Sequence, residues 1–353
     1  MIGEKIIGLD ITEQAYRDLD NMSYSLLSSI SRESHYAINK KFRPSDSTKF
    51  GVLVEDMLFD DYVEDDYHVM SDIFSSETKL KKACDDIFDY LIESVDKLEP
   101  SLSKYLGQIE KFLANEQIDY YENKDVAWRA AKIVNDLDAK RYWGEFVKGI
   151  DKITVTQSMI DDAKTASNTL KQHEFTRGIF STNTFQDIEK FSQVKILFEY
   201  RGYQMKAMLD FLIINHDEKL IQPYDLKTGG DHAERFEKSY FFWRYDIQAY
   251  LYMRAVSELL KDKYPGYKLE MFKFVYISRN NVYRPLIWKV SPKLLKATRE
   301  GFFRDGKYYK SIEELINDYL WYKEDENRIY PKEIYDSKGE VAIDDSNIEI
   351  RDE

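Results

Sequence analysis

The spacing of apolar residues changes partway along the chain. Up to about residue 190 it follows the three-and-four rhythm of helices. The stretch Ser23-Tyr24-Ser25-Leu26-Leu27-Ser28-Ser29-Ile30 through Tyr36 predicts a short amphipathic helix over 23–39, with a serine near its start as N-cap. A second apolar segment covers 50–60, and longer helices are predicted over 75–97, 101–115, 125–147 and 156–173. From about 193 the period shortens. Residues 194–200, 204–214 and 220–227 read as successive strands, with Arg201-Gly202 as a tight turn. A long helix over 238–260 follows, closed by Pro265-Gly266. Strands 270–277 and 282–290 flank Ser278-Arg279-Asn280-Asn281, Pro292 opens a helix at its first position, and a last helix covers 311–322. Meandering strands followed by helices predict an α+β fold, a mixed sheet flanked by helices behind a helical N-terminal half. The pattern divides the chain into a helical region 1–190, a core 191–322 and an acidic, partly disordered tail 323–353.

Composition narrows the functional classes. A chain of 353 residues, 43% hydrophobic and 15% aromatic, has enough apolar material for one large domain or two modest ones. A net charge of −13 excludes a general polyanion-coating protein, which needs a basic surface, but leaves room for a nuclease with a local basic channel. The single cysteine, Cys84, reads as a small core residue; one thiol builds no disulfide framework, zinc knuckle or iron–sulfur cluster. Met1 to Asp20 lacks the basic start and apolar run of a signal peptide, and no apolar stretch approaches membrane-spanning length. The expectation is a soluble, cytoplasmic protein with no membrane partner.

The chemistry concentrates around two strands. Asp210 interrupts the apolar run Met208 to Ile214, and the next strand delivers Tyr224-Asp225-Leu226-Lys227-Thr228-Gly229. Two carboxylates and a lysine suit metal-assisted phosphodiester hydrolysis. The acids hold Mg²⁺, the metal lowers the pKa of a water, and the ammonium supports the charge that builds up. Asp-x-Lys alone is a cheap pattern and recurs at Asp138, Asp162, Asp217 and Asp336. Only Asp225 and Lys227 fall on a strand end, where residues two apart share a face. A four-residue loop, His216 to Lys219, pairs Asn215 with Leu220 and sets Asp210 across from Asp225. A loop one residue longer sends the two acids to opposite faces. The ordinary alternative, a structural cross-strand acid pair, is disfavoured because like charges repel, and removing Asp225 is expected to relieve that repulsion.

Other constellations carry less. Gln248 and Tyr252 are four apart on one helical face, where a buried tyrosine with a satisfied polar neighbour is the ordinary reading. Glu55 is an acid within an apolar stretch, either a metal ligand or a solvent-side acid beside Asp56. The Arg201-Gly202 turn sets Glu199 opposite Gln204, far from Asp210, and leaves Gln193 facing Asp210 instead. The run Phe241-Phe242-Trp243-Arg244-Tyr245 interleaves aromatics with a base. Core packing is the ordinary role for most of these rings, and Arg244 and Tyr252 are the candidates for DNA contact. The five histidines show no ligand spacing, and no nucleophile triad or phosphate-binding Gly-Lys loop is present.

Asp210, the Asp225-Leu226-Lys227 triplet and Gln248-x-x-x-Tyr252 resemble the PD-(D/E)XK nuclease superfamily, in its RecB-like and exodeoxyribonuclease VIII-like branch of phage-recombination exonucleases. Ser23 to Tyr36 resembles that branch's Ser-rich helix, and Phe50 to Glu55 its Gly-x-x-x-His segment, so the likeness spans roughly residues 20 to 290. It implies a restriction-endonuclease-like sheet. It also implies a Mg²⁺ or Mn²⁺ site, of one or two ions, on Asp210, Asp225, the Leu226 carbonyl and Glu55, with Lys227 acting at the attacking water and Gln248 orienting the site. Glu55 stands where the branch often has histidine, and Gln193 where it often has Glu. The implied activity is a DNA exonuclease that resects linear duplex ends for a single-strand annealing partner, working as a homo-oligomeric ring. The alternatives are a structure-specific or defence-related endonuclease, and a non-catalytic DNA-processing scaffold.

Overall fold

The computed structural model describes residues 8–38, 45–59, 62–71, 73–74, 78–181, 187–325 and 327–340. Residues 341–353 of the expected acidic tail, Asn39 at the end of the first expected helix and 75–77 at the start of a later one lie outside them. Two compact units form: Met1–Ser47 with Thr165–Glu353, and Thr48–Lys164. The ranges 1–190 and 191–322 follow sequence pattern; these units follow packing.

The chain opens with α1 (Glu13–Arg17) and β1 (Met22–Ser23), which runs directly into α2 (Tyr24–Glu33). The Ser23 hydroxyl accepts from the Leu26 N–H at 3.3 Å, the N-cap that the sequence predicts. The next stretch is mostly helical: α3 (Asp46–Phe59), β2 (Tyr67–Val69), α4 (Lys79–Ser94), α5 (Leu106–Asn115), α6 (Val126–Asn135), α7 (Leu137–Lys148), β3 (Ile153–Val155) and α8 (Gln157–Gln172). One helix was expected over 125–147, and two form. Asp136 takes an extended conformation that ends α6, and its carboxylate caps α7 through the Asp138 and Ala139 N–H groups. The second unit packs around Phe88, Leu91, Ile133 and Trp143, with Cys84 fully buried among them. Burial pushes that thiol's pKa up, so it is an inert core residue, as expected.

After α9 (Arg177–Phe180) the sheet begins: β4 (Ile188–Tyr200), β5 (Tyr203–Asn215) and β6 (Leu220–Gly229), then α10 (Phe236–Phe242) and α11 (Tyr245–Leu260). β7 (Lys268–Leu269), β8 (Lys273–Ser278) and β9 (Asn281–Lys289) complete it. The architecture is α+β, with a mixed sheet: β4, β5 and β6 pair antiparallel, β6 and β8 parallel, β8 and β9 antiparallel. α12 (Pro292–Glu300), the small hairpin β10 (Phe302–Arg304) and β11 (Lys307–Tyr309), α13 (Ile312–Glu324) and α14 (Lys332–Asp336) follow. Ser311 and Glu314 form a capping box at the start of α13. The core of this unit joins Leu27 and Ile30 of α2, Leu209 and Leu212 of β5, and Ile247 and Leu251 of α11.

One detail of topology sets up the site. β4 pairs along the whole of one edge of β5, so β1 and β6 share the other edge. β1 runs parallel to β5 at Met22↔Met205 and Ser23↔Lys206, whereas β6 pairs from Phe211 onward. The sheet therefore forks at Asp210, and the strand that leads into α2 docks on the near side of the fork. No helix among the described residues is long and apolar enough to cross a membrane.

Candidate active site

The β5–β6 register is the one that a four-residue loop dictates. Asn215 pairs with Leu220, and the ladder continues to Phe211↔Tyr224. At the next step a side chain replaces the backbone: the Leu226 N–H donates to Asp210 Oδ2 at 2.7 Å. The Asp210 and Asp225 side chains meet at this point. Lys227, two residues on and so on the same face, places Nζ 2.5 Å from Asp225 Oδ2. From α11 above the sheet, Gln248 Nε2 donates to Asp225 Oδ1 at 2.5 Å. Asp210, Asp225 and Gln248 are buried, at 8%, 2% and 3% exposure, which is costly for two acids unless something compensates their charge.

Part of that compensation is visible. Burial raises the Asp225 pKa, against the pull of the Lys227 charge and the Gln248 hydrogen bond. Burial also works against the Lys227 charge, but Asp225, Tyr245 and Asp210 outweigh it and raise the lysine's pKa. Lys227 is thus held as an ammonium. It serves as a fixed positive charge rather than a proton acceptor. The ion pair also reverses one expectation. Removing Asp225 does not simply relieve acid–acid repulsion, because it strands the Lys227 cation.

Polar capacity remains unused. Beyond Lys227, Asp225 Oδ2 has no hydrogen-bond partner, and Gln248 Oε1 is buried with none. Buried acceptors left over in this way need an explanation, and an absent cation is one. Among the described residues no group of three or more His, Cys, Asp or Glu side chains gathers closely enough to hold a metal. Mg²⁺ does not need such a group, since one or two carboxylates with water and phosphate commonly suffice. The hard oxygens of Asp210 and Asp225 fit that ion.

Two residues at the site were named from sequence only as members of longer runs, without a role of their own. The Tyr245 ring lies 4.8 Å from Lys227 Nζ, a cation–π contact. It sits three residues before Gln248, on the same helical face, so its spacing was a usable signal. Tyr24 packs near Tyr245 and Tyr252, with ring centroids 6.2 and 6.5 Å away, and Asp225 raises its pKa further after burial has done so. Nothing in local spacing links residue 24 to residue 225; β1 brings it there.

The expected helix over 238–260 is interrupted next to the site. Arg244 adopts left-handed backbone, φ 54° and ψ 42°, between α10 and α11. That conformation costs a non-glycine residue roughly 1–2 kcal/mol. The Arg244 guanidinium holds the break: Nε and Nη2 pair with Asp246, Nη1 donates to Ser31, and Nη2 donates to the Lys310 carbonyl. Arg244 is 2% exposed, and Tyr252, at 8%, packs on Phe272 and Tyr24. Both expected DNA contacts are therefore buried: the Arg244 guanidinium is committed to hydrogen bonds within the fold, and the Tyr252 ring is packed among aromatics.

The remaining candidates fall as follows. Gln193 lies between the pairs Ser192↔Phe211 and Val194↔Leu209, facing Asp210 in register, with a left-handed φ of 49°. Glu199 pairs with Gln204, away from the fork, as its turn predicts. Glu55 lies on α3, within the second unit. The other Asp-x-Lys pairs sit on α7 and α8, in the hairpin turn and at the end of α14.

No protein-family model matches the chain, and no curated protein sequence matches it. Among solved structures, a "Putative exonuclease" from Eubacterium rectale aligns over 82% of this chain and 81% of its own, at 14% identity and a TM-score of 0.35. A likeness at that score carries no argument about fold or activity. The reading below rests on the site.

Proposed function

We propose that this chain is a metal-dependent deoxyribonuclease with the PD-(D/E)XK arrangement, an exonuclease that hydrolyses phosphodiester bonds from duplex DNA ends. The observation that supports it is the convergence of Asp210, Asp225, Lys227 and Gln248 at the fork, with a carboxylate oxygen that only the lysine satisfies. Asp210, Asp225 and the Leu226 carbonyl would hold Mg²⁺ or Mn²⁺ together with water and phosphate. The ion, when bound, supplies Lewis acidity and a nucleophilic water at neutral pH. The protein's own groups do the rest. Lys227 keeps its charge and stabilises negative charge at the attacked phosphate. Gln248 fixes the Asp225 carboxylate, and Tyr245 steadies the ammonium.

The exonuclease reading brings two further proposals: a homo-oligomeric ring around DNA, and a single-strand annealing protein as partner. The test is cleavage of end-labelled linear duplex with Mg²⁺ and with EDTA, beside a closed circle of the same sequence. Metal-dependent loss of the linear substrate alone is expected. Equal cutting of the circle would make the protein an endonuclease. No cutting with either Mg²⁺ or Mn²⁺ would leave the scaffold reading in its place.

A further inference from the structure

An aromatic row runs across the surface beside this site. The break at Arg244 ends α10 and leaves Phe242 and Trp243 at 62% and 41% exposure, their rings 4.8 Å apart. Trp243 is tied to α2, because its carbonyl accepts from Ser28 Oγ at 2.7 Å and from Tyr24 Oη at 3.1 Å. The Arg32 guanidinium lies 4.4 Å over its ring. Phe242 is three residues from Tyr245, so their Cα atoms are at most about 11 Å apart.

The β10–β11 hairpin continues the row. Strand alternation divides its aromatics between two faces. Phe302 and Tyr309 stack at 4.9 Å and face inward onto Phe241, while Phe303 and Tyr308 pair at 4.9 Å on the outer side. Phe303 is 76% exposed, and Tyr308 41%. Tyr308 is held in place: its hydroxyl contacts the Glu314 carboxylate, and it lies so close to Gly301 that a Cβ there would collide with it. Phe242 and Tyr308 line one cavity of about 170 Å³, together with Arg32, Lys307 and Lys310.

Four exposed aromatic side chains in one row, held by a strained helix break and a pinned hairpin, are costly to leave in water. Arg32 lies over Trp243, while Arg304 and Lys307 lie over the inward rings of Phe241 and Tyr309. Arg32 also pairs with Glu33, and Arg304 with Glu237 and Asp305. Exposed aromatic rings with Arg32 and Lys307 lining the same cavity suit unpaired bases on a phosphate backbone, whereas a duplex hides its base faces.

We propose that Phe242, Trp243, Tyr308 and Phe303 form a base-stacking platform for single-stranded nucleic acid next to the hydrolytic site. The proposal rests on the nuclease reading for its place in the reaction, but the binding it describes needs no cleavage. On this view the enzyme grips one strand by its bases as that strand leaves or enters the fork.

The test uses the full chain in EDTA, with fluorescence anisotropy of labelled oligothymidylate, an abasic oligomer of equal length and a blunt duplex. Tighter binding of oligothymidylate than of the abasic strand is expected. Phe303→Ala and Phe242→Ala should each weaken oligothymidylate binding by about ten-fold or more and leave the abasic strand unaffected. Phe303→Trp should retain it. Phe303 is exposed enough that its loss leaves folding intact, which a thermal melt of each variant checks. Equal affinity for the two strands, or unchanged binding in both alanine variants, would overturn the platform. So would a fall in sedimentation mass in Phe303→Ala with unchanged oligomer affinity, which would assign the row to contact between copies. Cleavage by the wild type with Mg²⁺ is scored separately: its absence counts against the nuclease and leaves the binding result readable.

Discussion

The two units treat buried polar groups differently. In the helical unit they are satisfied. Trp143 is fully buried and donates Nε1–H to the Glu99 carbonyl at 2.8 Å. Arg129, 6% exposed, donates to the Tyr120 and Ile118 carbonyls at 2.8 and 2.6 Å. In the sheet unit, side-chain atoms of Arg32, His35, Tyr200, Tyr240 and Gln248 are buried without a hydrogen-bond partner, Asp225 Oδ2 meets Lys227, and every such atom among the described residues lies in this unit. A satisfied buried group serves architecture. An unsatisfied one costs stability, on the order of 1–3 kcal/mol, unless a ligand completes it. The contrast points to the sheet unit as the place built to bind, and the fork contributes Gln248 Oε1 and Asp225 Oδ2 to it.

The largest test of that contrast is Asp225→Ala. Metal-dependent cleavage should fall by roughly 10³-fold or more, as on removal of a main electrostatic element of a site. Stability without metal should also fall, by about 1–3 kcal/mol, because Lys227 loses its direct ion-pair partner and keeps only the weaker attraction of Asp210. The Lys227 side chain keeps 19% exposure, and water there moderates the loss. Adding Lys227→Ala to that variant should recover stability but not activity. A single variant as stable as wild type would show that the ion pair does little for the fold.

Lys227→Ala alone comes next. A drop of about 10²-fold in rate is expected, with Mg²⁺ affinity by calorimetry largely kept, since an ammonium stabilises charge and ligates nothing. Loss of metal binding along with the rate would mean that Lys227 organises the acids rather than the chemistry.

Arg129→Ala probes the other unit. It should cost about 1–3 kcal/mol in denaturant unfolding, because two buried carbonyls lose their donor. The cleavage rate well below the melting temperature should stay unchanged. A rate defect in the folded variant would break the division between architecture and binding. The smallest effect is expected at Glu55. Glu55→Gln and Glu55→His should each leave the Mg²⁺ or Mn²⁺ concentration needed for half-maximal cleavage nearly unshifted, as substitutions of an acid outside the site do. A midpoint raised several-fold in Glu55→Gln would return Glu55 to the ligands.

The sequence made the Asp210, Asp225 and Lys227 side of the fork legible because its geometry is local. Loop length fixes the strand register, register sets Asp210 against Asp225, and strand periodicity turns Lys227 to the same side. Helical spacing put Gln248 and Tyr252 on one face, and the place of Gln248 at the site came only from the family resemblance. What was missed depends on tertiary context. The strings around Arg244 and Asp136 contain no Gly or Pro to announce a break, yet each breaks a predicted helix, one through a buried ion pair and one through a cap. Tyr24 reaches the site only through β1, whose two residues are too few to show alternation. The β10–β11 hairpin was missed for the same reason, each strand having three residues.

The pairing of β1 with β5 has a consequence for how the protein is made. Met22 leaves the ribosome long before its partner Met205 exists, and the helical unit is synthesised in the interval. The entropy of closing so long a loop grows only slowly with its length, about 0.6 kcal/mol per doubling, so a whole folded unit can be carried within it at little cost. Growing chains that have not yet released residue 248 hold at most part of the fork. The four side chains that meet at the fork are therefore complete only late in synthesis, whatever chemistry they carry.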